Sequence, residues 1–209
     1  MARVLITGSA DGLGQLAAEL LLDQGHKVTL HARSDERAAA AHAAVPRAAA
    51  VVVGDLASIA EVRVLAQAAN ELGDFDAVIH NAAVGYREPR IETVDGLEHV
   101  FAINVLAPHL LTALMARPRR LVYLGSGMHR SGDPDTGDLQ WAARPWNGSQ
   151  AYADSKLWDV VLAFAIAALA GGGLERGRAW LGGDEDGWAR RARRPRARRG
   201  HAGVARRLG

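Results

Sequence analysis

The chain contains no cysteine, which excludes disulfides and thiolate chemistry and leaves the redox compartment open. Lysine is nearly missing as well, because Lys27 and Lys156 are the only two among 25 basic residues. No apolar run is long enough to cross a bilayer. Met1-Ala2-Arg3 leads straight into a β-rich run and a glycine turn, with nothing resembling a signal peptide. A cytoplasmic protein without a membrane span is therefore expected. The histidines are scattered and none clusters at metal-ligand spacing, so no metal is expected. What remains is ordinary in composition, with 49% hydrophobic and 23% charged residues, as in an average globular protein.

The 209 residues suit one α/β domain with a substantial core. Arg3–Thr7, Lys27–Ala32, Ala49–Val53, Phe75–His80 and Arg120–Gly125 read as buried parallel strands. Between them, Leu13–Gln24, Asp35–Ala44, Ser58–Leu72 and roughly Asp95–Met115 have helical length and composition. Gly127–Ser149 is irregular, and a loop of that length in a compact domain is usually functional or mobile. Gln150–Ala170 then reads as one long apolar helix. This alternation predicts an α/β fold with right-handed crossovers, a doubly wound parallel sheet in a three-layer αβα arrangement.

Net charge divides the chain. Residues 174–209 hold 11 of the 25 basic and 4 of the 23 acidic residues, and they show no strand or helix periodicity. The expected organisation is one α/β domain over 1–173, whose nucleotide-binding and catalytic character rests on the motifs below, followed by an irregular Arg/Gly-rich tail over 174–209.

Thr7-Gly8-Ser9-Ala10-Asp11-Gly12-Leu13-Gly14 lies between the first strand and the first helix. Glycines there let the backbone turn tightly and approach a pyrophosphate, while the helix presents free N–H groups and the positive end of its dipole. Gly8, Ser9, Gly12, Leu13 and Gly14 are thus candidate cofactor residues of a Rossmann-type site; an ordinary Gly-rich turn is the bland alternative. The second strand ends in His31-Ala32-Arg33. Arg33 could bind a 2′-phosphate through charge-assisted bonds, which favours NADP over NAD, although Asp35 follows closely and Arg33 could be merely solvated. Asp55 and Leu56, and Asn81 and Ala82, fall at two more strand ends, where ligands of open α/β sheets bind; helix caps or turns explain them equally.

Tyr152 and Lys156 sit four residues apart on one face of the last helix. A phenol with a pKa of about 10 is a poor base near neutrality, and a nearby ammonium favours the phenolate. Such a pair can relay a proton while a nicotinamide handles the hydride. A surface pair of the same spacing is the alternative.

Together these motifs resemble the short-chain dehydrogenase/reductase family over about residues 3–170. Gly8, Gly12 and Gly14 match its glycine motif, Asp55 its adenine-site aspartate, and Asn81-Ala82-Ala83, imperfectly, its Asn-Ala-Gly motif. Asn104 corresponds to its active-site asparagine, Ser126 to its serine, and Tyr152 and Lys156 to its Tyr-x-x-x-Lys. The resemblance implies that Tyr152 is the general acid/base and that Ser126 hydrogen-bonds the substrate oxygen. It implies that Lys156 binds the nicotinamide ribose and tunes Tyr152, with Asn104 supporting a water relay to it. The long interval from Ser126 to Tyr152 is similar to the retinol-dehydrogenase-like branch, in which Trp141 and Trp146 would shape a substrate entrance or simply pack the loop. His129 lies just beyond Ser126 and reads as a loop residue. The family also implies possible homo-oligomers built on the catalytic helix.

After the catalytic helix the family pattern stops. One back-translation of Leu174–Ala189, read one base later, gives SSAVEPGWVATKMGGP, which contains the strand end, Pro-Gly turn and Thr that the family would supply. A frameshift or truncation near Gly171–Leu174 is the resulting expectation, testable by resequencing.

The function expected is hydride transfer between NADP(H) and a small to medium, partly apolar carbonyl or alcohol. A catalytically impaired nucleotide-binding relative is the alternative. The Arg-rich tail could mark a nucleic-acid or membrane-surface patch, but no aromatic-lined binding fold accompanies it, and no nucleic-acid partner is expected.

Overall fold

The computed structural model describes residues 1–169; the expected Arg-rich tail and frame change lie outside them. Five parallel strands form one sheet: β1 (Arg3–Ile6), β2 (Lys27–Ala32), β3 (Ala50–Val53), β4 (Ala77–His80) and β5 (Arg120–Tyr123). Their order is β3-β2-β1-β4-β5. β1 pairs with both β2 and β4, Val4 lying opposite Val28 on one side and Ala77 on the other. The chain winds outward from β1 to β3, then returns to β4 on β1's other flank. A crevice opens at that reversal, outside the carboxyl ends of the strands.

Side chains alternate across the sheet, so β1 feeds two cores. Val4 and Ile6 pack with Val28, Leu30, Ala18, Ala41 and Val45, beneath α1 (Gly12–Asp23) and α2 (Asp35–Ala44). Leu5 packs on the opposite face with Val62, Leu65, Val78, Leu111 and Met115, beneath α3 (Ile59–Glu71) and α5 (Ala107–Leu114). These are the three layers of a doubly wound αβα fold. Burying Leu5, Val62, Leu65 and Leu111 alone contributes about 1.5–3 kcal/mol per side chain before entropic costs.

The helix expected from Asp95 begins four residues later, at His99. The Asp95 carboxylate accepts the N–H of Ile59 at the beginning of α3. Glu98 is the true cap, its buried carboxylate accepting from Val100 and Phe101. α4 (His99–Phe101) then passes into a π-helical turn over Ala102–Leu106 before α5. That widened turn encloses Asn104, and such insertions are frequent at functional sites. The last helix, α6 (Gly148–Leu169), starts two residues before the expected Gln150. Within the irregular stretch, Gly127–Ser131 forms a 3₁₀ turn.

Candidate active site

A cavity of about 800 Å³ lies at the topological switch between β1 and β4. Of the expected cofactor residues, Gly8, Leu13, Gly14, Arg33, Asp55, Leu56, Asn81, Ala82 and Lys156 line it. The glycine turn is built by close approach. Gly8 has φ of 60°, and a Cβ there would meet the Ala82 backbone at 2.8 Å; one on Gly14 would meet the Asn81 amide at 2.6 Å. Asp11 precedes α1 without capping it, so the first N–H groups of that helix stay available to an anion. The glycines thus let the turn pack against β4, and the uncapped helix N–H groups beside it suit a pyrophosphate.

Four polar side chains lock this turn, among them Thr7, whose Oγ1 accepts the N–H groups of Asn81 and Ala82. Asn81 donates through Nδ2 to the carbonyls of Thr7 and Gly8, both at 2.9 Å, tying β4 to β1. Ser9 faces inward, its hydroxyl donating to Ile6 and accepting from the His31 backbone. The His31 ring accepts the Gly8 N–H at Nδ1 and bonds the Gly54 carbonyl at Nε2, each at 2.9 Å. That geometry requires a neutral ring protonated at Nε2. Burial depresses the His31 pKa, opposed by the Gly54 bond and nearby Asp55. The sequence shows His31 only as a residue before Arg33; its latch on the glycine turn depends on contacts 23 residues apart.

Beyond the end of β2, Arg33 and Arg37 both line the cavity. Arg37 pairs with Asp11 of the glycine turn across an exposed gap. Asp55 accepts the Ala57 N–H, so it closes a turn while also facing the cavity.

At the other end, Lys156 donates from Nζ to the Leu124 carbonyl at 2.8 Å and to Asp159 Oδ2 at 2.9 Å. Its ammonium lies 5.7 Å from the centre of the Tyr152 ring. The Tyr152 side chain is buried and meets the Tyr86 ring edge-on at 6.0 Å. Ser126 accepts the Met128 N–H as cap of the 3₁₀ turn. Asn104 is buried, its Oδ1 accepting from Val84 N and its Nδ2 donating to Val84 O and Ser155 Oγ. Both amide hydrogens are thereby engaged, and the side chain fastens the post-β4 segment to α6 one residue before Lys156.

The long loop is well anchored. Arg144 stacks 3.6 Å over Trp141 and pairs with the buried Asp154 at 3.0 Å. Asp138 accepts the N–H groups of Ala142, Ala143 and Arg144. Trp141 is buried with a left-handed φ of 53°, uncommon for a bulky residue. It meets Trp146 edge-on at 5.4 Å. Trp146 in turn donates from Nε1 to the Glu88 carbonyl. The two indoles pack the loop, and Trp146 reaches the cavity through Glu88, which lines it with its hydrogen-bond partner His99. His129 turns back on the Ser126 carbonyl.

A buried polar layer lies behind Lys156 that sequence reading missed. His80 bonds Thr112, which bonds the Tyr123 hydroxyl at 2.7 Å. Burial lowers the His80 pKa to about 4 and raises that of Tyr123. Burial also raises Asp159 to about 6, outweighing its attraction to Lys156. Among the described residues, no group of His, Asp and Glu could hold a metal ion, and no helix is long and apolar enough to cross a membrane.

A family model described as short chain dehydrogenase matches residues 2–121. The chain belongs to the short-chain dehydrogenase family. It is 47% identical over 178 residues to an uncharacterized oxidoreductase of Emericella nidulans, covering 84% of this chain and 67% of the relative. A short-chain dehydrogenase of Penicillium rubens, chyC, is 45% identical, with 80% and 66% covered. Retinol dehydrogenase 13 of Mus musculus is 34% identical, with 74% and 49% covered, in keeping with the expected branch. The matched part of this short-chain dehydrogenase thus spans about two thirds or less of these relatives' length. Among solved structures, a Mycobacterium paratuberculosis protein superposes with a TM-score of 0.75 at 29% identity, covering 88% of this chain and 68% of that one. A Pseudomonas aeruginosa RhlG/NADP complex superposes with a TM-score of 0.63 at 25% identity, covering 85% and 70%. A nicotinamide dinucleotide is the cofactor that this family and this cradle support.

Proposed function

We propose that this short-chain dehydrogenase interconverts a carbonyl and an alcohol using NADP(H), with Tyr152 as general acid/base. The observation carrying the reading is the Lys156 ammonium, bound at the end of β5, facing the glycine-turn cavity and lying beside the Tyr152 ring. The nicotinamide, when bound, supplies or accepts the hydride. Tyr152 Oη gives a proton to the substrate oxygen in reduction and takes it back in oxidation, and the adjacent ammonium favours the phenolate. Ser126 already uses an acceptor site on the Met128 N–H, which leaves its hydroxyl hydrogen for the substrate oxygen. Asn104 positions α6 through Ser155. Gly8, Ser9, Gly12, Leu13 and Gly14 form the pyrophosphate cradle, with Asp55, Leu56, Asn81 and Ala82 beside the adenosine and ribose.

NADP is favoured over NAD by Arg33 and Arg37, whose guanidinium groups suit a 2′-phosphate. Substrates are small to medium, partly apolar carbonyls or alcohols. Tyr152→Phe is expected to lower turnover of NADPH with a carbonyl panel about a thousandfold while leaving NADPH binding intact. Unchanged turnover in that variant rules the role out. A nucleotide-binding protein without turnover is the second reading, favoured by the match to about two thirds of the relatives' length. Tight NADPH binding with no turnover on any carbonyl or alcohol selects it.

A further inference from the structure

The Lys156–Asp159 ion pair is unusual for its depth. The two side chains are only 4% and 5% exposed, and the pairing of residues three apart on α6 keeps them on one helix face. An ammonium buried without a partner is strongly disfavoured, so something must compensate the charge of Lys156. The Leu124 carbonyl supplies a dipole; Asp159 supplies the countercharge. An ammonium has three tetrahedral N–H donors. Two are engaged, by Leu124 O at 2.8 Å and Asp159 Oδ2 at 2.9 Å, while the side chain lines the dinucleotide cavity.

We propose that Asp159 is a positioning residue for Lys156. Together with the Leu124 carbonyl it fixes two of the three N–H vectors, so the third is aimed into the crevice. There an acceptor such as a ribose hydroxyl would find it. Asp159 also supplies the buried countercharge beside this ammonium. The proposal rests on the redox reading for its purpose, but not for its geometry.

The surroundings of Asp159 support a charge-balancing role. On its own helix it faces Lys156, with Tyr152 beyond the ammonium. From β5 it meets the field of Tyr123, whose ionisation Asp159 opposes. Thr112 of α5 and His80 of β4 continue the layer behind Tyr123, and His80 stays neutral because burial lowers its pKa to about 4. Lys156 is thus the cation paired with this carboxylate. With burial holding Asp159 at about 6, the carboxylate is mostly ionised at neutral pH and is lost on mild acidification.

The two-lysine composition makes a direct test possible. The full chain is labelled with ¹³Cε-lysine; exposed Lys27 serves as an internal reference and Lys156 as the probe. In Asp159→Asn the titration midpoint of Lys156 is expected to fall by about one to three pH units relative to the unsubstituted chain, with Lys27 unmoved. NADPH affinity, read by fluorescence, is expected to weaken about tenfold, and Asp159→Glu to restore most of both. If Asp159→Asn lowers only the melting temperature, with the Lys156 titration and NADPH affinity unchanged, Asp159 is structural and the proposal is overturned. Should that variant not fold, the unsubstituted chain is followed from about pH 8 to about pH 5, spanning the carboxylate's titration. A Lys156 signal responding near the Asp159 midpoint supports the pairing, and a flat response overturns it. These readouts need no turnover, so an inactive chain whose Lys156 still answers to Asp159 refutes the redox reading alone.

Discussion

The two flanks of the switch point are held by different means. Around the glycine turn, backbone does most of the shaping: Gly8 and Gly14 admit close approach, and Thr7, Asn81, Ser9 and His31 pin the chain. Around Lys156, buried polar side chains carry the architecture, with Glu98 capping α4, Asn104 bridging to α6, Lys156 paired to Asp159, and His80, Thr112 and Tyr123 layered behind. Fold geometry makes the first flank, whereas pairwise chemistry makes the second. The first should therefore break sterically and be indifferent to mild pH change beyond its one histidine, while the second should answer to charge.

The largest expected effect is steric. Gly14→Val puts side-chain atoms where Asn81 and the Gly8 carbonyl lie, and should weaken NADPH binding by about a hundredfold or more, roughly 3 kcal/mol. Equilibrium titration of the folded variant measures it, and near-normal affinity would show that the cradle is not the phosphate site.

Next in size is a charge effect on the other flank. His80 titrates at about 4 when folded against an ordinary 6.5, so the unfolded chain binds more protons between those values. Its contribution, about 3 kcal/mol, is full above pH 6.5 and disappears as pH falls through 4. Asp159 works oppositely: with its folded pKa raised to about 6, the folded chain binds the extra proton below that value, and stability from this group is lost as pH rises through 6. The two offset each other over one window. Urea unfolding at about pH 7 and about pH 4.5 should therefore show His80→Asn gaining in relative stability on acidification. If the His80→Asn and unsubstituted chains lose stability in parallel, His80 is not the acid-sensitive group.

Arg144→Ala removes both the stack on Trp141 and the pair with Asp154, and should destabilise the chain by about 2 kcal/mol. Proteolysis is expected to begin within the loop between Gly132 and Asn147; cleavage elsewhere would mean that the loop stands without its clamp. Smallest is Arg33→Ala, expected to reduce the preference for NADPH over NADH about tenfold, some 1.4 kcal/mol. An unchanged ratio transfers that role to Arg37.

Legibility in the sequence followed the same division. The turn from Thr7 to Gly14 could be read because backbone conformation restricts residue type locally, and Tyr152 and Lys156 because helical spacing is local too. Asp159 was invisible: among the apolar residues of α6 it looks like one more helix position until Lys156 is seen bent toward it. The helix start placed roughly at Asp95 came four residues early, because composition does not mark that Glu98 caps the helix while Asp95 receives a distant N–H. Trp141 and Trp146 allowed two readings, and only the Arg144 stack and the Glu88 contact separated them.

By itself, the sequence determined the strand–helix alternation, the glycine turn and the four-residue spacing of Tyr152 and Lys156 on one helix, since each is written within a few consecutive residues where periodicity and conformational restriction act. Tertiary structure alone decided which polar groups meet in the interior: His31 with Gly8 and Gly54, Asn104 with Val84 and Ser155, and His80 with Thr112. Those partners lie 20 to 51 residues apart. A buried donor must find an acceptor, but nothing local specifies which one folding will bring.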